Sequence, residues 1–153
     1  MGLRVHGQLT SLRPADVADV DRLVAWHADP EVSRYWDDET FTRAEMEARL
    51  ARTDVEAWIV EEAGEPVGYL QTHAEGLDMF LIPAARGRDL GPDAARAMAR
   101  HLIGQGRTRV TVDPYAWNEG AVRAWVRAGF VEVSRHPADD GHSAEWVLME
   151  FVG

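Results

Sequence analysis

Arg86-Gly87-Arg88-Asp89-Leu90-Gly91-Pro92 runs without a break into Asp93-Ala94-Ala95-Arg96-Ala97-Met98-Ala99-Arg100-His101-Leu102-Ile103. A turn containing glycine and arginine thus feeds an amphipathic helix from about Leu90 to Ile103. Free backbone N–H groups and the positive end of the helix dipole converge at that join, which makes it an anion site. Just upstream, Leu77-Asp78-Met79-Phe80-Leu81-Ile82-Pro83 reads as a buried strand ending at proline. Strand, short loop, anion-binding turn and helix are the arrangement expected for gripping the pyrophosphate of a nucleotide-like cofactor. Taken alone, the same residues also fit a Gly-rich loop with solvated arginines.

The chain has 153 residues, which favours one domain with a sizeable core. It lacks cysteine, so a disulfide framework, a thiol nucleophile and a Cys-ligated metal are excluded. No apolar run is long enough to span a membrane, and no basic-then-apolar signal opens the chain. The expectation is a soluble, cytoplasmic protein. All 16 basic residues are arginine, and 26 acids give a formal net charge of −10. Such a surface repels phosphate backbones and argues against nucleic acid as a partner. It attracts a cationic small molecule, although solubility alone also accounts for it. The six histidines show no metal-like spacing with carboxylates, and no metal is expected.

Hydrophobic periodicity lays out the rest. Gln8–Arg13 alternates as a first strand, and Pro14-Ala15-Asp16 starts a helix with Val17, Val20, Leu23, Val24 and Trp26-His27 on its apolar face. Asp29-Pro30 breaks it. Thr42 caps a second helix that runs through Arg52. Glu56–Glu61 and Val67–Thr72 are strands joined at Gly64-Glu65-Pro66, and a turn at Glu75-Gly76 leads to the Leu77–Ile82 strand. After the long helix come a strand at Arg109–Asp113 and a helix at Asn118–Ala128, closed by Gly129. The strands Phe130–Arg135 and Ala144–Phe151 follow, joined at Asp139-Asp140-Gly141. The order is β-α-α-β-β-β-α-β-α-β-β, an α/β chain.

Arg86-Gly87-Arg88-Asp89-Leu90-Gly91 resembles the acyl-CoA-binding turn of the GNAT N-acetyltransferases, Arg/Gln-x-x-Gly-x-Gly/Ala. Asn118-Glu119-Gly120-Ala121, then Trp125, then Ala128-Gly129-Phe130 resembles the second signature of that family. The resemblance covers the chain from first strand to last. It implies a single GNAT domain over 1–153, with a mixed sheet of about seven strands flanked by about four helices. Within the family the chain is most similar to aminoglycoside 6'-N-acetyltransferases. Leu12-Arg13-Pro14, Trp26-His27, the Gly64–Tyr69 hairpin and Gly76-Leu77-Asp78 with Phe80-Leu81 carry that likeness.

The implied cofactor is acetyl-CoA, and the implied reaction moves its acetyl group to an amine of a cationic small molecule. Its binding residues would be Met79, Phe80, Leu81 and Ile82 on the strand, Arg86, Gly87, Arg88, Asp89, Leu90, Gly91 and Pro92 on the turn, and Asn118, Ala121 and Trp125 on the next helix. Asp78, mid-strand between apolar neighbours, is the implied general base. Asp113 and Asp140 fall where the family places substrate-binding aspartates, although each also sits at a turn. Trp36, Asp37 and Glu75 complete the candidate substrate wall. Asp89 departs from the usual glycine, and any positive φ there is strained. Trp125 departs from the usual tyrosine and cannot protonate a leaving thiolate. Water, Tyr115 or an unprotonated departure remain as routes. The link His73-Ala74-Glu75-Gly76 is shorter than the family's loop, which implies a more open pocket. Other acceptors stay open: a polyamine, an amino sugar, a siderophore-type amine or a protein N-terminus. So does a non-catalytic acyl-CoA-binding domain. The oligomer is a monomer or a homodimer.

Overall fold

The structure is a computed structural model and describes residues 3–153. Its sheet has eight strands: β1 (Val5–His6), β2 (Ser11–Pro14), β3 (Val55–Glu62), β4 (Glu65–His73), β5 (Gly76–Leu81), β6 (Thr111–Val112), β7 (Phe130–His136) and β8 (Trp146–Phe151). In space they run β1-β2-β3-β4-β5-β6-β8-β7. Every neighbouring pair is antiparallel except β5 and β6, which are parallel and meet only at Gly76 opposite Thr111. Past β6 the chain stays paired on its other side, where the Pro114 carbonyl accepts from Val147 N–H of β8 at 2.9 Å. Beyond Gly76 the two strands part. The edge of β5 from Asp78 to Leu81 faces an opening where a sheet normally has a partner.

Period-two alternation sorts the core into two layers. Trp58, Val60, Leu70 and Leu77 pack on the face covered by α4 (Leu90–Gly104) and α5 (Glu119–Ala128). Ile59, Tyr69 and Phe80 pack on the other face, under α1 (Val20–Ala28), α2 (Pro30–Ser33) and α3 (Arg43–Leu50). Asp78 shares the parity of Phe80 and so belongs to the second face. In α4, Leu90, Ala94, Ala95, Met98, Ala99 and Leu102 form a buried stripe at helical spacing. Full burial of each large side chain contributes roughly 1.5–3 kcal/mol. The α3 helix starts at a capping box, with Thr42 Oγ1 accepting from Glu45 N–H and Glu45 Oε1 accepting from Thr42 N–H.

Several boundaries differ from the sequence reading. The first strand is two short ones, because the chain turns between them and the turn docks on Asp93 of α4. That carboxylate accepts from the N–H groups of Gln8, Leu9 and Thr10 and from the Thr10 hydroxyl, at 2.8–3.0 Å. Gly7 is needed there, since any Cβ would collide with the same carboxylate. The helix expected from Pro14 instead begins as a 3-10 turn at Val17–Asp19, capped by Asp16, and Val17 is 67% exposed rather than on the apolar face. Asp29-Pro30 does not only break a helix: Asp29 caps the one-turn α2. The strand expected at Arg109–Asp113 is reduced to Thr111–Val112, although bonds from Phe151 N–H to the Val110 carbonyl and from Val147 N–H to the Pro114 carbonyl hold the flanking chain against β8.

Candidate active site

Two adjoining cavities open where β5 and β6 part. One is apolar, of about 400 Å³, and lies between β5, the turn before α4, and α5. The other is acidic and aromatic, of about 460 Å³, and lies between β4, β5, the end of β6 and the loop after α2. Tyr35, Met79, Asn118, Ala121 and Trp125 line both.

The apolar cavity gathers most of the residues expected to hold the cofactor. Met79, Phe80 and Leu81 form one wall, and Arg86, Gly87, Asp89, Leu90, Gly91 and Pro92 form the turn above it. Gly87 takes φ +81°, and Asp89 takes φ +61°, ψ +17°, the left-handed conformation that the departure from glycine put in question. The Asp89 side chain does not cap α4. It turns outward to Arg127 of α5 at 3.1 Å. The first intrahelical bond is donated by Asp93 N–H to the Asp89 carbonyl at 3.2 Å. Leu90 and Gly91 precede it, so their N–H groups stay outside the helix ladder. Asn118 caps α5 by accepting from Ala121 N–H, and Trp125 stands edge-on to Phe130. Two expectations need correction. Arg88 leaves the cavity to pair with Glu62 at 2.8 Å, and Ile82 packs against the core instead of lining the cleft.

In the acidic cavity Asp78 is one-third exposed and not unpaired. Its Oδ2 accepts from Gln71 Nε2 at 3.0 Å and lies 2.7 Å from His73 Nε2. Gln71 Oε1 in turn accepts from the buried Tyr69 hydroxyl at 2.8 Å. Burial pushes that phenol up to about 12, so it stays a donor. The hydrogen bond from His73 to Asp78 raises the imidazole pKa, against the opposing effect of burial. Asp113 points into the same cavity. Burial pushes its pKa up, while the bond from His142 pulls it down. His142 spans two carboxylates, with Nε2 2.7 Å from Asp113 and Nδ1 2.8 Å from Asp139. Burial lowers the His142 pKa, but the two carboxylates outweigh it and the net shift is upward.

Aromatic rings close the cavity on two sides. Trp36 packs edge-on against Tyr69 and Phe80 over the buried His27, whose pKa burial lowers to about 4. Tyr115, Trp117 and Tyr35 stack in series across the mouth, at 5.8 and 6.0 Å. Tyr115 donates to Asp37 at 2.5 Å and so ties the loop after α2 to the loop after β6. Asp37, Glu39, Asp78 and Asp113 face Arg49 and Arg52. Arg52 is neutralised by Asp54, and Arg49 lies 4.2 Å over Phe41.

Two proposed substrate contacts fall outside. Asp140 is exposed at the turn before His142 and does not line the cavity, because Asp139 is the residue that folds back. Glu75 points to Arg109 at 3.8 Å, and its carbonyl accepts from Thr111 N–H. Gln71, His73 and His142 are the residues that sequence reasoning passed over or set aside. A signal for the first two exists in β4, where Tyr69, Gln71 and His73 alternate onto one face opposite Asp78. Among the described residues, no group of three or more His, Asp or Glu is placed to hold a metal, and no helix is long and apolar enough to cross a membrane.

A model of the acetyltransferase (GNAT) domain matches residues 10–131. The chain belongs to that family. Among curated relatives of this GNAT chain, the mycothiol acetyltransferase of Corynebacterium efficiens is 32% identical over 118 residues. That match takes in 73% of this chain but only 39% of the relative's length. The aminoglycoside N(6')-acetyltransferase type 1 of Klebsiella pneumoniae is 26% identical over 157 residues, covering 86% of this chain and 78% of that protein. The solved structure of AAC(6')-Ib with paromomycin and acetyl-CoA superposes with a TM-score of 0.84 at 23% identity, over 95% of this chain and 94% of that one. Such a likeness establishes the GNAT fold, with its mixed sheet and two helical layers. GNAT acetyltransferases use acetyl-CoA. The free N–H groups at Leu90 and Gly91, the open edge of β5 and the apolar cleft below them fit that group.

Proposed function

We propose that this GNAT domain transfers the acetyl group of acetyl-CoA to an amine of a cationic small molecule, and that the acceptor is the 6'-amine of an aminoglycoside. Transfer to that amine would make the chain a resistance enzyme. One observation carries the reading. Asp78 and Asp113, from β5 and the end of β6, face a single acidic cavity that shares a wall with the apolar cleft under the α4 turn.

Met79 to Leu81, the turn residues Gly87, Asp89, Leu90 and Gly91, and Asn118, Ala121 and Trp125 would hold acetyl-CoA, which supplies the acetyl thioester. Backbone N–H groups and the α4 dipole favour its pyrophosphate, with Arg86 close by. Arg86 is anchored to the Glu31 carbonyl at 2.6 Å and to the Leu81 carbonyl at 3.2 Å. In the acidic cavity, Asp78 Oδ2 is taken by Gln71 and His73, and among the described residues no hydrogen bond reaches Oδ1. That oxygen is free to receive an ammonium. Asp113 offers a second carboxylate for a polycation, and Trp36 and Tyr35 add aromatic surface to the wall. Charge and shape orient the amine, and the carboxylate side of the cavity must then take its proton.

A second reading keeps the chemistry and changes the acceptor. The relative with the higher identity is named for mycothiol acetylation, and the two-residue turn between β4 and β5 leaves the cavity wide. A thiol-release assay with acetyl-CoA separates the two. Release with kanamycin, but not with an aminoglycoside bearing a 6'-hydroxyl, supports the first. Release with spermidine or glucosamine instead moves the acceptor to the second. Binding of coenzyme A without release for any amine defeats both.

A further inference from the structure

We propose that His73 is the base that removes the proton of the acceptor ammonium, with Asp78 holding its ring in place. The assignment rests on the transfer reading above. The β4–β5 register sets Gln71 opposite Asp78 and His73 opposite Gly76. A Cβ at position 76 would lie 2.7 Å from His73 Cε1 and 3.3 Å from Nδ1. Glycine therefore leaves the space that the imidazole occupies, and the ring lies back along β5 with Nε2 at Asp78 Oδ2, 2.7 Å away.

The hydrogen-bond chain fixes which nitrogen is free. Tyr69 O–H donates to Gln71 Oε1, so Gln71 presents its Nε2–H to Asp78. Asp78 Oδ2 then serves as an acceptor, and His73 meets it with Nε2–H. In the neutral ring the lone pair sits on Nδ1. Among the described residues Nδ1 has no hydrogen-bond partner, and the side chain is 38% exposed on the cavity wall.

Imidazole has an ordinary pKa of about 6.5, against about 10 for an alkylammonium. The Asp78 bond raises the His73 ring further toward the ammonium. The charged groups acting on the ring are Asp78 of β5, Asp113 beyond β6, Asp54 ahead of β3 and Arg107 before β6. The aspartates favour the imidazolium and the arginine opposes it. In the step itself the ammonium N–H bond breaks, its electron pair stays on nitrogen as the attacking lone pair, and the proton ends on Nδ1. The imidazolium keeps Nε2–H on Asp78 and passes the new proton to water from its exposed edge.

The test compares wild-type, His73→Gln and His73→Ala across pH 5.5–9 with kanamycin as acceptor. Alongside the kinetics, the His73 ring is titrated by NMR in the protein without acetyl-CoA. His73→Gln can still donate to Asp78 but cannot take a proton. Its kcat is expected to fall about 100-fold, with the acceptor KM within about threefold and the ascending limb of the pH profile lost. Added imidazole is expected to restore part of the His73→Ala rate, which it could not do for a misfolded chain. The wild-type ring should titrate above about 6.5, and lower in Asp78→Asn. A His73→Gln enzyme that keeps kcat within about threefold and keeps the limb overturns the assignment and leaves the transfer reading standing. A wild-type protein that binds coenzyme A but acetylates no amine overturns both.

Discussion

Asp89 shows how one residue couples strain to charge at a binding turn. At φ +61° it occupies a region that glycine enters freely and aspartate enters at a cost of about 1 kcal/mol. Its carboxylate also sits beside the proposed pyrophosphate site, held off by Arg127. In Asp89→Gly, relief of strain and the extra freedom of the unfolded chain nearly cancel, so stability should change by less than about 1 kcal/mol. Affinity for acetyl-CoA should rise about two- to fivefold, because a like charge is lost and Arg127 is released. Calorimetric titration reads this, and weaker binding would give Asp89 a positive role instead. At Asp78 the change is larger. Asp78→Asn removes the cation anchor and loosens the His73 ring, so kcat/KM for the amine should drop at least about 100-fold while acetyl-CoA affinity holds. Near-normal turnover would remove Asp78 from the mechanism. Asp78 was legible in the sequence because it stands mid-strand among apolar residues, and Asp113 because the family resemblance places a substrate-binding aspartate there. Their histidine partners were not. His73 and His142 reach Asp78 and Asp113 only through a hairpin register and a loop that folds back on Asp139, and neither relation has a local signature.

Elements that rest on local rules were read nearly to the residue. Thr42 with Glu45, Asn118 with Ala121, and Gly129 at φ +108° mark helix ends by capping chemistry that needs no tertiary partner. Those that rest on distant contacts were misread. β1 has two residues and survives because Asp93, more than eighty positions away, gathers the turn that follows it. Asp93 is only 5% exposed, and its four hydrogen bonds hold its pKa below the ordinary value against the effect of burial. Asp93→Ala should cost about 3 kcal/mol, since it leaves three backbone donors and a hydroxyl without an acceptor. Urea unfolding of the two proteins measures it, and a loss under about 1 kcal/mol would mean that β1 stays docked by its apolar contacts alone. The folded pKa lies below the unfolded one, near 3.9, so the contribution is full above that value and fades as pH falls through the folded pKa. The advantage of wild-type over Asp93→Ala should therefore shrink below about pH 4.

Across the whole molecule, the parting of β5 from β6 places two sites of opposite character side by side. The α4 turn prefers anions, while the neighbouring cavity sets four carboxylates against two guanidiniums, of which Arg52 is paired with Asp54 and Arg49 lies over Phe41. The formal charge of −10 extends that second preference over the whole surface. A polycationic amine is therefore drawn in by the field of the entire chain, whereas coenzyme A, itself an anion, must approach against it. Salt screens both effects over a Debye length of about 10 Å at 0.1 M and about 3 Å at 1 M. The two substrates should respond with opposite signs. Between low salt and about 0.5 M sodium chloride, the KM for a polyamine acceptor should rise about three- to tenfold, and the KM for acetyl-CoA should stay level or fall. Initial rates with each substrate varied in turn provide the measurement, and a neutral osmolyte at matched osmolarity controls for bulk solvent effects. An acceptor KM indifferent to salt would mean that the cavity recognises its ligand by shape, and the charge argument for a cationic acceptor would fail.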